Sequence, residues 1–468
     1  MKIELDGIAR LDVGDFRLRV LSAVDKGLHA VSFFALETTL FIVLADDTGA
    51  GLEVLSTEIE NGTYPSLTPE CTQLHLFERE IAEQSGILPQ GHPRLKPVRK
   101  PDVPGEADFY RVEGSEIHEV GVGPVHAGII EPGHFRFQCH GEHVYHLETA
   151  LGYQHRGVEK LIVSRPEQNR LHFMETLAGD TSIGNAIAYS RIVEELSDCE
   201  ISPRAESLRL IALELERIAN HIGDLGALSG DVGFLPTASY CGRIRGDFLN
   251  MTAVLCGNRF GRGMVRPGGT GYDIDESLVQ GLLERLDTGE NDAANAVELM
   301  FDAPSVLARM DGTGVLPREI CIELGIVGPA ARASGLRRDV RISQAGGITP
   351  AVMENGDVHA RAYIRWLEVQ NSIAFIRRQL QELPSGSVYD GPGASKPGYL
   401  SVSLVEGWRG EVCHVALSSE DGGLKHYKIT DPSFHNWAAL EYSMRGGGIS
   451  DFPLFNKSFN LSYCGFDL

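Results

Sequence analysis

GPVHAGIIEPGHFRFQCHGEHVYHLETALGYQHRGVEK, residues 123–160, decides how the rest of the chain is read. These 38 residues hold His126, His134, His140, His143, His146 and His155, six of the chain's 16 histidines, beside Glu131, Arg136, Arg156 and Glu159. Phe135, Phe137 and Cys139 alternate with Arg136 and Gln138, and Val144 and Tyr145 resume the alternation after a turn-like His140-Gly141-Glu142-His143. A strand pair is expected. Gly123-Pro124 and Pro132-Gly133 bracket a short loop of few conformations, which would fix His126 and Glu131. Imidazole titrates near neutrality and ligates metals, so these histidines read about equally as functional groups and as surface or hydrogen-bonded core residues.

With 468 residues the chain has room for two or three domains and an ample core, and a two-domain reading is preferred. A formal charge of −22, from 64 acidic and 42 basic residues, argues against nucleic acid as a partner. No apolar run approaches the roughly 20 residues that span a bilayer, and MKIELDGIARLDVGDF carries acids where a signal peptide needs an apolar core. A cytoplasmic chain is expected. Eight cysteines are scattered singly with no C-x-x-C, a pattern that disfavours iron–sulfur and structural zinc sites.

Along the chain, FRLRVL, HAVSFFAL and LFIVLADD give strands for a small α/β unit over residues 1–98. In the run from Thr63 to Pro93, Thr72 is a candidate cap, Leu74, Phe77 and Ile81 share a helical face, and Gly86 ends the helix. By spacing alone its charged face is a solvated one. Residues 99–120 read as a Pro-rich linker, with Arg94, Lys96, Arg99 and Lys100 beside it as a basic run that either tethers in solvent or meets an acidic partner or lipid head groups. Leu147 to Leu161 reads as helix and loop. Residues 203–228 give a helix with Leu208, Ile211, Leu215, Ile218 and Ile222 buried, and with Glu214, Arg217, His221 and Asp224 as a polar line, either an ion-pair ladder or a proton path. A Gly/Arg loop follows at 257–269. It lacks the context of a nucleotide site, so a close-packed interface loop is the better reading. Residues 356–386 form a long helix on which Asp357, Arg361, Arg365 and Glu368 would pair reciprocally, and a hairpin around Asp421-Gly422-Gly423 follows.

GPVHAGIIEPGHFRF with LGYQHRGVEKL, and later ELERIANH, resemble the large subunit of membrane-bound nickel–iron hydrogenases of the formate hydrogenlyase and hydrogenase-4 type. They are similar in turn to the quinone-site subunit of respiratory complex I, as is the Gly-Pro and Arg-Ala-Ser-Gly run within 323–341. Glu78, Arg79, Glu80, Gly91, His92 and Pro93 resemble complex I's small hydrophilic 30 kDa subunit. The resemblance implies an α+β chain: a 30 kDa-like docking domain at 1–98, a linker at 99–120, and at 121–468 a hydrogenase-large-subunit-like domain with a helical core and flanking β-hairpins.

The resemblance also places the four metal thiolates of active hydrogenases at Ala178, Thr181, Ser462 and Gly465. None survives, and a hydroxyl or a methyl cannot replace soft thiolates for nickel and iron. It implies no metal on this chain, unless Glu131 retains a magnesium. Catalytic candidates are His126, Glu131, His134 and Asp180, as proton donors to an acceptor. Thr176 and Arg156 would wall the acceptor's cavity. No cofactor is expected on the chain itself. An iron–sulfur cluster would sit on a partner small subunit, a quinone would be the acceptor, and antiporter-like membrane subunits would hold the assembly to the inner face of the membrane. The expected function is coupling of electron transfer, from NADH or another donor, to proton or ion movement. The alternatives are a purely structural coupling module and a working nickel–iron hydrogenase.

Overall fold

The computed structural model describes residues 1–99, 109–128, 130–343 and 347–468. Lys100 and residues 101–108 of the expected linker lie outside the described residues. The chain opens with β1 (Lys2–Glu4), β2 (Ala9–Leu11), α1 (Val13–Asp25), β3 (His29–Leu36), β4 (Thr39–Ala45) and β5 (Leu52–Glu58). Strands β2, β5, β4 and β3 lie side by side in that order, β2 parallel to β5 and the rest antiparallel. LFIVLADD supplies the buried β4 as expected.

FRLRVL is a correction, because it lies inside α1 rather than in a strand. Asp12 caps that helix by accepting from Asp15 N at 3.0 Å. Phe16, Val20 and Ala23 recur at helical spacing and are buried, while Arg17 and Arg19 turn outward to Glu70 and Glu53. The cap and a three-residue apolar stripe override a short alternating run.

The parallel pair β6 (Thr63–Pro65) and β7 (Leu88–Gln90) flanks α2 (His75–Ser85), which stops at Gly86 in the left-handed region, φ +76°. Thr72 does not cap it; its hydroxyl reaches Glu323 instead. The charged face of α2 is buried rather than solvated. Glu78 accepts from Ser66, Leu67 and Thr68, and Glu80 pairs with Arg99 and Lys428. The described part of the basic run is paired within the chain: Arg94 and Lys96, half-buried, meet Glu148, and buried Arg99 donates from Nε to Phe466 O at 2.8 Å. These contacts fasten the first unit onto the second.

Strands β8 (His118–Val122), β9 (His134–His140) and β10 (His143–Ala150) form an antiparallel sheet in the order β10-β9-β8, so the expected hairpin is present and gains a third strand that spans the expected linker boundary at 120. The helix expected from Leu147 begins only at Val158, because Leu147–Ala150 still pair with His134–Phe137. The helical part comprises α3 (Val158–Ser164), α4 (Glu167–Met174), α5 (Ser182–Ser197), α6 (Pro203–Asp231) and α7 (Leu235–Cys256). After the short pair β11 (Val265–Arg266) and β12 (Gly269–Thr270) come α8 (Glu276–Phe301), α9 (Pro304–Met310), α10 (Arg318–Glu323), α11 (Gly328–Ala333) and α12 (Val358–Gln381). The chain closes with β13 (Tyr399–Gly407), β14 (Gly410–Ser418), β15 (Leu424–Thr430), α13 (Pro432–Ser443), α14 (Phe452–Phe459) and α15 (Tyr463–Asp467). β1 joins this last sheet, in the order β1-β13-β14-β15.

Helix α6 starts where Ser202 accepts from Ala205 N and Pro203 fixes the first turn. All five residues of its apolar stripe are buried, each contributing roughly 1.5–3 kcal/mol by leaving water. Its polar line is a ladder to α12. His221 Nε2 lies 2.9 Å from Glu368 Oε2, Arg365 Nε donates to Asp224 Oδ2 at 2.9 Å, and Ser372 Oγ donates to Glu214. The pairs expected along α12 therefore form across helices. Asp357 instead caps α12, and Arg361 donates to the carbonyls of Gly314 and Gly356. In the Gly/Arg loop, Gly268 N donates to Glu194 at 2.7 Å, so a carboxylate of the same chain takes the place a phosphate would have used.

Candidate functional site

Strands β13 and β14 pair up to Gly407 and Gly410, which leaves Trp408 and Arg409 as a two-residue turn. The turn can sit against the start of α11 because both facing residues are glycines: a Cβ on Gly328 would come 2.1 Å from Arg409 O. Both turn side chains are driven into the core toward the loop before α5. Trp408 Nε1 donates to Asp180 O at 2.9 Å. Arg409 grips the Asp180 carboxylate with two nitrogens, Nη1 to Oδ1 at 2.6 Å and Nη2 to Oδ2 at 2.8 Å, while its Nε donates to Asn460 O at 2.6 Å. Thr181 Oγ1 adds a bond to Asp180 Oδ1 at 3.1 Å, and Asn220 Nδ2 reaches Asp180 O at 3.0 Å. Burial alone would raise the Asp180 carboxyl, but the guanidinium outweighs it and holds the group below its ordinary value. A bidentate arginine–carboxylate pair of this kind is strong and directional.

Behind this pair stands Glu216 of α6. Its carboxyl accepts from Ile183 N at 2.7 Å and Gly184 N at 3.2 Å, capping the first turn of α5. Arg156 joins two segments far apart in sequence, donating to Thr176 O at 2.9 Å, Leu177 O at 2.8 Å and Cys464 O at 3.2 Å. Its guanidinium is thus engaged in holding backbone. The Thr176 side chain is exposed and turns back to His172 O at 2.8 Å.

The first loop is arranged differently. His126 Nε2 lies 2.8 Å from Gly133 O and His134 Nδ1 3.2 Å from Gly123 O, so the two imidazoles brace the ends of their own loop. Glu131 sits next to Cys464, and burial together with that carboxylate pushes the thiol up to about 12. The structure therefore brings Asp180 and Thr181 together with Arg409, and Glu131 together with Cys464, while His126 and His134 are held by the backbone carbonyls of their loop.

At the four places where the resemblance sets metal thiolates, the residues present do not suit a nickel–iron centre. Ala178 offers a methyl. Thr181 and Ser462 offer hydroxyls, and that of Ser462 accepts from Gly465 N at 2.9 Å to start α15. At Gly465 a side chain would displace a buried carboxyl, since a Cβ would come 2.5 Å from Asp431 Oδ2. For magnesium at Glu131 the outcome is similar. Among the described residues no three His, Cys, Asp or Glu side chains are grouped to hold an ion, and hard cations need several oxygens.

Two family models match: the respiratory-chain NADH dehydrogenase 49 Kd subunit over residues 231–397 and its 30 Kd subunit over residues 12–106. The carbon monoxide-induced hydrogenase of Rhodospirillum rubrum is 30% identical over 348 residues, which is 73% of this chain and 96% of that protein. The chain belongs to the family of these hydrogenase and complex I subunits. Other members resemble it to a similar degree. An NADH-quinone oxidoreductase chain of Dehalococcoides mccartyi is 31% identical over 70% of this chain and 92% of its own length. Hydrogenase-4 component G of Escherichia coli is 28% identical over 87% of this chain and 76% of its own. Both halves of the family resemblance read from the sequence are thus present in one chain.

Sequence reasoning missed Arg409, Trp408, Glu216, Asn220 and Asp431. A signal existed for the first two: bulky residues between two glycines in EGWRGE mark a tight turn whose side chains must go somewhere. Glu216 was hidden inside a helix already explained by its stripe.

Proposed function

We infer that the chain is the cavity-walling large subunit of a membrane-attached oxidoreductase of the complex I and hydrogenase-4 kind, with no nickel–iron site of its own. Electrons come from an iron–sulfur cluster on a partner small subunit and pass to a quinone-like acceptor beside the loop at 176–181. Antiporter-like partners in the membrane couple this to proton or ion movement. Among the described residues no helix is long and apolar enough to cross a membrane, so attachment runs through those partners. The observation that carries the reading is the Asp180–Arg409 pair. A segment that in a working hydrogenase would present thiolates instead presents a carboxylate locked to a buried arginine.

In that arrangement this chain's residues bind, orient and protonate. Arg156 fixes the two strands of backbone that wall the site, Arg409 fixes Asp180, and Asp180 faces the open side of its loop with its side chain 35% exposed. The test is purification of the assembled complex in mild detergent, with its companion chains identified and its quinone reductase activity measured. The expected result is quinone reduction, without stoichiometric nickel, that falls at least about tenfold in Asp180→Ala, as for loss of a proton-transfer group. Stoichiometric nickel with hydrogen evolution would overturn the reading. Unchanged turnover in Asp180→Ala would favour a structural coupling role.

A further inference from the structure

We propose that Glu216 is a proton-holding residue of this site, carrying its proton at neutral pH directly behind the Asp180–Arg409 pair. The proposal rests on the function above for the use of that proton, but not for where the proton is kept.

The argument begins with charge. Glu216 is only 7% exposed. The charged groups facing it are Asp180 from the loop before α5 and Arg217 on its own helix, and Arg409, from the turn between β13 and β14, is bound to Asp180. Both cations are committed elsewhere. Arg217 gives Nε to Glu214 at 3.0 Å and its other nitrogens to Gly407 O and Glu406 O, at 2.9 and 2.6 Å. Arg409 gives both terminal nitrogens to Asp180. Among the described residues no lysine or arginine pairs with Glu216, which leaves two backbone N–H groups as its partners.

A buried carboxylate without a cation is costly, and the usual outcome is that it takes up a proton. The helix terminus and its N–H groups favour the charged form. Burial and the adjacent negative charge of Asp180 outweigh them, and the Glu216 carboxyl is pushed up to about 8. Asn220 Nδ2 donates to the backbone carbonyls of Glu216, at 2.9 Å, and of Asp180, at 3.0 Å, so the two carboxyl-bearing segments are tied together.

In the proposed step a quinone-class acceptor takes electrons from the partner's iron–sulfur cluster and develops negative charge on oxygen. The O–H bond of Glu216 breaks, its proton passes by way of Asp180 to form an O–H bond on the acceptor, and the Glu216 carboxylate remains until water protonates it again.

Difference infrared spectroscopy on the full chain tests the location of the proton, between about pH 7 and about pH 9.5. The expected result is a protonated-carboxyl C=O band that shifts in D2O, disappears with a midpoint near 8 and is missing in Glu216→Gln. Glu406→Gln and Glu411→Gln, controls for two other buried carboxyls that titrate near 7, each keep the band. If Glu216→Gln fails to fold, Glu216→Asp replaces it, and a displaced midpoint supports the proposal. A spectrum identical to that of the parent chain in either variant overturns it. In the assembled complex, Glu216→Gln is expected to lower quinone reduction at neutral pH at least about tenfold and to remove the decline near pH 8. A Glu216-dependent band in a complex that reduces no quinone would leave the proton on Glu216 and remove the proposed function instead.

Discussion

Arg365 of α12 and Asp224 of α6 meet across the helical core, Nε to Oδ2 at 2.9 Å, with each side chain 3% exposed. Asp224 also receives Asn460 and Lys457, so it anchors α14 to the same point. Removing one partner of such a pair leaves a buried charge. Arg365→Met is expected to cost about 3–5 kcal/mol in urea denaturation, and Arg365→Met with Asp224→Leu to recover most of it.

Glu411 of β14 faces His29 of β3 at 3.2 Å, with His435, Arg338 and Asp47 around them. Burial raises the Glu411 carboxyl to about 7, against about 4.3 when unfolded. The folded state therefore holds this proton more tightly. The resulting stability is complete below about pH 4.3 and is lost as pH climbs through about 7, up to the order of 3 kcal/mol. His29, kept neutral chiefly by burial, opposes this at the acid end. In thermal unfolding as a function of pH, Glu411→Gln is expected to flatten the fall across that window. Glu406 and Asp467, at about 7 and about 6, act in the same direction and keep a residual slope.

Gly465→Cys tests whether the lost ligand position can be refilled. The new Cβ collides with Asp431, whose carboxyl also accepts from Ser433 N at 2.8 Å. A loss of about 1–3 kcal/mol in chemical denaturation is expected. The combined substitution to cysteine at 178, 181, 462 and 465 is expected to bind no stoichiometric nickel by elemental analysis.

Arg156→Ala is expected to loosen the two segments it ties. Charge-assisted bonds to carbonyls contribute roughly 1.5–3 kcal/mol, so amide exchange at 177–181 and 464–466 should accelerate about tenfold or more. Arg156→Lys, with a single ammonium, should hold fewer of the three carbonyls and fall between.

The parts of the fold that were legible in the sequence are those set by local periodicity. The α6 stripe, the alternation in β9 and β10 and the Gly86 stop each follow from residues within one or two turns of one another. FRLRVL was misread because six residues fit period two, while its helical stripe needs Ala23 and the Asp12 cap from outside that window. The site was less legible for a different reason. Asp180 was visible by its place in the family motif, but its partner Arg409 lies 229 residues away, and Glu80 looked like a surface charge until Arg99 and Lys428 arrived. Which charges end up buried is decided by distant partners rather than by neighbours along the chain.

Strand β1 has a bearing on biosynthesis. Its partner strand is β13, and the Met1 amine donates to Val402 O across a separation of 401 residues. Domains commonly fold in order of emergence from the ribosome. Here the nascent segment that carries β1 must wait, unpaired, until Tyr399–Ser401 have been translated before it can take its seat at the sheet edge. Completion of that edge is therefore a late event, set by the arrival of the last sheet rather than by the first unit.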